Sequence, residues 1–548
     1  MKTRRLMIIG LDAATLDLIH PWCEGGHLPN IKRFIEQGTV APLRSTLPVQ
    51  SPAAWSTFAT GTNPGKHGVL NFAQLRSDSY DAVFMNASHR RGTTFWEIAG
   101  EQGIRGGVIN IPFTYPPRPF NGFMITGMLS PAVDRRLAYP EEILNDLREV
   151  SPNYAIDVNI VRREDDAVRE EFFRRAVAAV ENRTKTAVGL FRRHRPPLFC
   201  TAYTASDRVS HYYWNDLLAA RKNPEDPHGF RSPIGTIYKK MDDGIGELLS
   251  EAGPETDVLL LSDHGAGNLA KVFSMRKLLA RAGLMKEATP GALKRIIKSS
   301  LLRFARTCPR TLRQRIQDVM PGLSSKAVSQ IASGGIDFAG SQAYPTEGVE
   351  GVFVNLRGRQ PNGIVSPGEE YEAVRDRVIQ LFTEITDPET GDHVFKGAYR
   401  REDVWNGPRI ETLPDVVLEQ KSWMYDTKLT SAAYGTDVFC PLPRAGRPGL
   451  HDTGRHHRLG MFMGMGPHVQ RTSLPPVEMA DVPATILALL GLPVPKHFDG
   501  RVLREMLTND IEIAGRTAVK DSSDDAGQDF SADEQSAVEE RLKGLGYL

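Results

Sequence analysis

Four places in this 548-residue chain combine side chains that hold metal ions. Asp12 directly follows the apolar run Leu6–Leu11. Asp207 and His211, spaced i and i+4, follow the run Leu198–Tyr203, and on a helix both project from one face, which suits chelation of a single ion. Asp263-His264-Gly265 closes the run Val258–Leu261. Gly454-Arg455-His456-His457-Arg458 precedes Met461–Gly464, so either histidine there is a candidate. Each place has an ordinary structural reading: a helix cap at Asp12, a solvated helix face at Asp207, surface histidines in a polar loop. Together they offer three carboxylates and three imidazoles, an N/O donor set that suits Zn²⁺ and also accepts Mn²⁺ or Fe²⁺. Six donors exceed one tetrahedral site with an open position and match two sites of three. Two ions about 4 Å apart can activate a nucleophile and clamp the oxygens of phosphoryl transfer.

A candidate nucleophile lies in Ser51-Pro52-Ala53-Ala54-Trp55-Ser56-Thr57-Phe58-Ala59-Thr60-Gly61, which reads as a complete short helix. Ser51 suits the N-cap, Pro52 the first helical position and Gly61 the stop. The unpaired N–H groups of the first turn favour an anion. Ser51 is therefore either a plain cap or a nucleophile facing a phosphate, and a bound metal would let its hydroxyl act without a histidine base.

These residues need a scaffold. The apolar runs Leu6–Leu11, Gly107–Ile111, Phe123–Met128, Leu198–Tyr203, Asp257–Leu261, Gly351–Leu356, Val416–Glu419 and Met461–Gly464 end in turn or polar residues and alternate with helical patterns. That pattern predicts an α/β fold with buried strands in a mostly parallel sheet, whose ligands sit at the strands' carboxyl ends. The core is expected over 1–133, 196–268 and 334–507. Residues 134–195 read as a charged helical insertion. Residues 269–333 read as a basic amphipathic cap, with weak membrane-surface contact through 290–320 as the other reading. Residues 508–531 read as an acidic flexible linker, and 532–548 as a helix that docks on a surface or partner.

A net charge of +1 gives no polyelectrolyte character for nucleic acid, and 41% hydrophobic residues fit a globular protein. Asp12 interrupts the first apolar run too early for a signal peptide, and no run reaches the length of a membrane span. Four dispersed cysteines form no CxxC pair, and a cytoplasmic protein is expected.

With these motifs in this order, the chain resembles the alkaline phosphatase superfamily, in particular its type I phosphodiesterase/nucleotide pyrophosphatase branch. The resemblance rests on Asp12, the block Ser51-Pro52-Ala53-Ala54-Trp55 through Thr60-Gly61-Thr62-Asn63-Pro64-Gly65-Lys66-His67-Gly68, Asp207-x-x-x-His211, Asp263-His264-Gly265 and Gly454-Arg455-His456. Asp481-Val482-Pro483-Ala484-Thr485-Ile486-Leu487 and Asp499-Gly500-Arg501-Val502-Leu503 resemble the branch's C-terminal signature. It implies an alkaline-phosphatase-like three-layer α/β/α core with helical cap insertions. It also implies one metal on Asp207, His211 and His456, a second on Asp12, Asp263 and His264, and Ser51 as nucleophile. His67 is expected to be structural. Ungapped alignment places Phe72 at the branch's phosphate-binding Asn, with Asn71, one residue earlier, as the candidate for that role. Formylglycine chemistry, as in sulfatases, is not expected, because Pro52 follows Ser51 directly. The expected activity is cleavage of a small phosphodiester or pyrophosphate through a phosphoseryl intermediate. The alternatives are a phosphomonoesterase or head-group transferase on the same site, or a non-catalytic anion-binding scaffold.

Overall fold

In the computed structural model, residues 4–545 are described except 77, 159–166, 289–334, 347, 428–436, 443–450 and 519–528. A ten-stranded sheet forms the centre. Its middle is parallel: Thr256–Leu261, Arg5–Leu11, Leu198–Tyr203, Gly106–Ile109 and Gly122–Ile125 lie side by side. Strand Leu459–Met465 pairs antiparallel with Thr256–Leu261 on one side and with Thr39–Arg44 on the other. Two reversals restore the direction, so Thr39–Arg44 runs with the parallel strands and delivers the chain after it to the same edge.

The period-2 alternation of strand residues makes the layers. In the first strand Met7, Ile9 and Leu11 face helices Leu16–Glu24, Pro29–Gln37, Ala167–His194, Ala205–Ala220 and Pro233–Ala252. Leu6 and Ile8 face Ser51–Thr60, Phe95–Glu101 and Asp481–Leu489. Both faces are apolar and both are covered, which gives the expected three-layer α/β/α core.

All eight apolar runs contain a strand, but two belong elsewhere. Gly351–Val354 and Val416–Gln420 join Ala343–Pro345 and Phe395–Arg400 in a separate antiparallel sheet packed on helix Glu369–Glu384. Their residues are buried on both faces, so their composition is that of a parallel core strand and alternation could not separate the two cases. In the stretch 134–195, helix Ala167–His194 covers the main sheet. The basic segment 289–334, with the reading of membrane contact at 290–320, lies outside the described residues. Among the described residues no helix is long and apolar enough to cross a membrane.

Candidate active site

The carboxyl ends of three adjacent parallel strands supply the acidic groups. Asp12 follows Arg5–Leu11, Asp207 lies in the first turn of the helix after Leu198–Tyr203, and Asp263-His264 follows Thr256–Leu261. The chain then forms Gly265–Asn268, which pairs antiparallel with Gly454–His457 and sets Ala266 opposite His456. This ribbon brings His456 over His264, ring centroids 3.8 Å apart. Its close packing requires glycine: a Cβ on Gly265 would lie 2.0 Å from the Leu459 carbonyl oxygen, and one on Gly460 would lie 2.1 Å from Ser262 Oγ. Strand alternation separates the two adjacent histidines. His456 enters the site, whereas His457 Nδ1 accepts from the Leu459 N–H at 3.1 Å.

The side chains gather into two groups, Asp12 with Asp263 and His264, and Asp207 with His211 and His456; within each, the donor atoms lie within 4.8 Å of one another. Backbone carbonyls set the histidine tautomers. His264 Nδ1 faces the Gly265 carbonyl and His456 Nδ1 faces the Val49 carbonyl, each at 3.0 Å, so both Nδ1 atoms carry the proton. Each Nε2 therefore presents a lone pair to its group, the usual arrangement of a metal-binding imidazole. His264 Nε2 is 3.3 Å from Asp263 Oδ2 and 3.8 Å from Asp12 Oδ1. His456 Nε2 is 3.1 Å from His211 Nε2, and both are 3.4 Å from Asp207 Oδ1.

Electrostatics point the same way. Both oxygens of Asp12 and Oδ2 of Asp263 are buried without a hydrogen-bond partner. Burial, then the nearby charge of Asp263 and of Asp207, holds the Asp12 carboxyl well above its ordinary range. Burial, then the neighbouring His264, pushes His456 down to about 3, so it is a neutral donor. Burial raises Asp207, but His211 and His456 outweigh it and leave that carboxyl below its ordinary value. Unpartnered buried carboxylates beside imidazole lone pairs are costly alone and suit a divalent cation. Both groups fit one ion each.

Ser51 corrects the sequence reading in one respect. The cap of helix Ser51–Thr60 is Gln50, with Ser51 in the first turn, and no side chain caps the helix. The cap needs only extended backbone, which Gln50 supplies at φ −134°. The Ser51 hydroxyl therefore makes no capping bond and lies 3.2 Å from His264 Nε2, fully buried. Gly61 ends the helix as expected, at φ +67°. His67 is structural: its Nδ1 accepts from the Val69 N–H and its Nε2 meets the Thr57 hydroxyl at 3.0 Å, tying the following loop to the Ser51 helix.

A cavity of about 40 Å³ opens beside the second group, lined by Gln50, Asn71, His211, Glu350, Trp423 and His456 among others. Asn71 reaches this cavity, while Phe72 turns into an apolar cluster. The sequence reading missed the supporting charges. Arg208 donates to Asp207 at 2.6 Å and to Asp157 at 2.9 Å, and Arg455 donates to Glu350 at 2.6 Å and Asp426 at 2.9 Å. Arg208 and Arg455 stand inside the quoted motifs, so their positions were visible. Asp207 adjoins Arg208, but Asp157, Asp426 and Glu350 lie 29 to 105 residues from their arginines with no spacing to mark them.

The arrangement is that of an alkaline-phosphatase-like fold, and solved structures agree. Phosphonoacetate hydrolase from Sinorhizobium meliloti, in complex with phosphonoformate, aligns with a TM-score of 0.52 at 15% identity, covering 88% of this chain and 94% of that one. Human ectonucleotide pyrophosphatase/phosphodiesterase 5 aligns with a TM-score of 0.50 at 11% identity, covering 92% and 100%. The chain belongs to the type I phosphodiesterase/nucleotide pyrophosphatase family, whose model matches residues 6–437. It is thus a phosphoester hydrolase of that family. His456 lies beyond the matched residues. None of the curated proteins matches the chain by sequence.

Proposed function

We propose that this chain is a two-metal hydrolase of phosphodiester or pyrophosphate bonds in which Ser51 is the nucleophile. The observation that carries this reading is the set of unpartnered, buried oxygens on Asp12 and Asp263 beside a Ser51 hydroxyl that no helix cap engages. Asp207, His211 and His456 would hold one ion, and Asp12, Asp263 and His264 the other. Bound divalent ions, Zn²⁺ by donor type or else Mn²⁺ or Fe²⁺, supply positive charge that lowers the hydroxyl pKa and offsets charge on the phosphoryl oxygens.

The chain supplies the rest. Ser51 Oγ attacks phosphorus, a serine O–P bond forms, and the P–O bond to the leaving alcohol or phosphate breaks. The proton that Ser51 gives up goes to solvent, and solvent protonates the leaving group. Water then attacks the same phosphorus and the serine O–P bond breaks; of the water's two protons, one returns to Ser51 and the other goes to solvent or the released phosphate. The first-turn N–H groups of the Ser51 helix favour the anionic phosphoryl group. Asn71, which lines the cavity and donates to the Gly348 carbonyl at 3.3 Å, would donate its other amide hydrogen to a non-bridging oxygen. The substrate is a small phosphate ester.

Chelation tests this reading. Metal-stripped protein should show no turnover of bis-(p-nitrophenyl) phosphate, and Zn²⁺ or Mn²⁺ should restore it. Unchanged activity after stripping would overturn the metal-dependent reading. A strong preference for p-nitrophenyl phosphate would reassign the enzyme to monoesters. A panel of nucleotide, lipid head-group and sugar diesters then ranks the substrates.

A further inference from the structure

The two donor groups differ in how their carboxylates are balanced. In the Asp12/Asp263/His264 group, no lysine or arginine hydrogen-bonds to either carboxylate among the described residues, and three of the four oxygens have no hydrogen-bond partner. The other group has one carboxylate, already divided. Asp207 Oδ2 accepts from Arg208 at 2.6 Å, and only Oδ1 faces His211 and His456, at 3.4 Å from each.

Arg208 is itself fixed. It is 1% exposed, and its other guanidinium nitrogen bridges to Asp157, whose side chain is fully buried. Asp157 is anchored in turn by the Thr204 hydroxyl at 3.1 Å and the Val158 N–H at 2.8 Å, both on Oδ1. A buried guanidinium needs hydrogen-bond partners for its charge, and its planar fork suits two carboxylates in fixed directions. The fork determines which Asp207 oxygen remains for a metal. The Arg208 charge also reaches Asp12, but only Asp207 is hydrogen-bonded to it, and a single carboxylate tied to an arginine attracts a cation less than two carboxylates that carry no such bond.

Resting on the two-metal reading, we propose that Arg208 and Asp157 are positioning residues. They hold Asp207 as the single-oxygen donor of the Asp207/His211/His456 site, which is the weaker and more exchangeable of the two metal sites.

The test is equilibrium Zn²⁺ binding to the metal-stripped full chain in competition with a chromophoric chelator, resolved into two steps. Two unequal affinities are expected, with His211→Ala removing the weaker step and Asp263→Asn the tighter one. Arg208→Lys keeps the charge but loses the fork, and should weaken only the weaker step by about 10–100-fold, the usual effect of removing a partner behind a ligand. Asp157→Asn should shift the same step in the same direction; if circular dichroism shows Arg208→Lys unfolded, Asp157→Asn carries the test. Equal steps, loss of the tighter step in His211→Ala, or variants that move both steps or neither would overturn the proposal. Absence of any Zn²⁺ binding would instead overturn the two-metal reading. A role confined to folding would not single out one step.

Discussion

A serine at a helix start ordinarily engages its hydroxyl with the backbone, and the sequence alone favours that for Ser51. Here Gln50 takes the cap, so the hydroxyl meets His264 Nε2 instead. The distinction is one residue of register, finer than spacing can resolve. His67 shows the opposite case, a histidine fully committed to structure. It accepts a backbone N–H at Nδ1 and meets Thr57 at Nε2, which fits only the neutral ring. Burial, then the neighbouring Arg90, pushes it down to about 3. Because the folded pKa lies below the unfolded value of about 6.5, stability is intact above pH 6.5. It falls toward pH 3 by up to about 1.4 kcal/mol per pH unit from this group. Urea unfolding between pH 7 and pH 4 should show a steeper loss in the native chain than in His67→Asn, whose amide can still accept the Val69 N–H. Equal slopes would contradict the assignment.

At the scale of elements, the candidate ligands were legible because parallel strands deliver side chains to one edge. A polar residue directly after an apolar run is legible as a site residue for that reason. Asp12 directly follows its strand, Asp263 comes two residues after its strand, and Asp207 sits four residues on, in the first turn of the next helix. His456 was harder, because its delivery depends on a two-stranded ribbon whose pairing no local pattern shows. Strand alternation places His456 in the second donor group and turns His457 to the Leu459 N–H. The ribbon yields a prediction of its own. Gly265→Ala would drive a Cβ into the Leu459 carbonyl and force the ribbon apart. It should cost about 1–3 kcal/mol in urea unfolding, as overpacking does, and weaken Zn²⁺ binding as well. Native stability with native metal binding would show that the contact is relieved elsewhere.

Over the whole molecule, layer order was legible and partner sheets were not. Apolar alternation specified a covered central sheet, but the antiparallel sheet at Gly351–Val354 and Val416–Gln420 has the same composition as a core strand. The C-terminal helix Ala532–Leu545 docks on its own chain. Val538 and Leu542 are buried against the cluster of Phe72, Phe113, Tyr115 and Met128. Glu534 bonds Tyr115, and Arg541 bonds the Ser130 carbonyl. Phe72 of this cluster adjoins Asn71 in the cavity wall, and its Met128 touches Arg208. Leu542→Ala should therefore cost about 2–4 kcal/mol, read as a lower urea midpoint, in line with buried leucine truncations. An unchanged midpoint would mean the helix docks too weakly to support the site.

The central claim is that Ser51 attacks phosphorus beside bound metal. Its most direct test is the rate of bis-(p-nitrophenyl) phosphate hydrolysis by metal-loaded Ser51→Ala beside the native chain, with zinc content measured on both. Loss of the nucleophile should lower kcat by about 10³-fold or more while two ions remain bound. Hydrolysis by Ser51→Ala at the native rate would contradict the account.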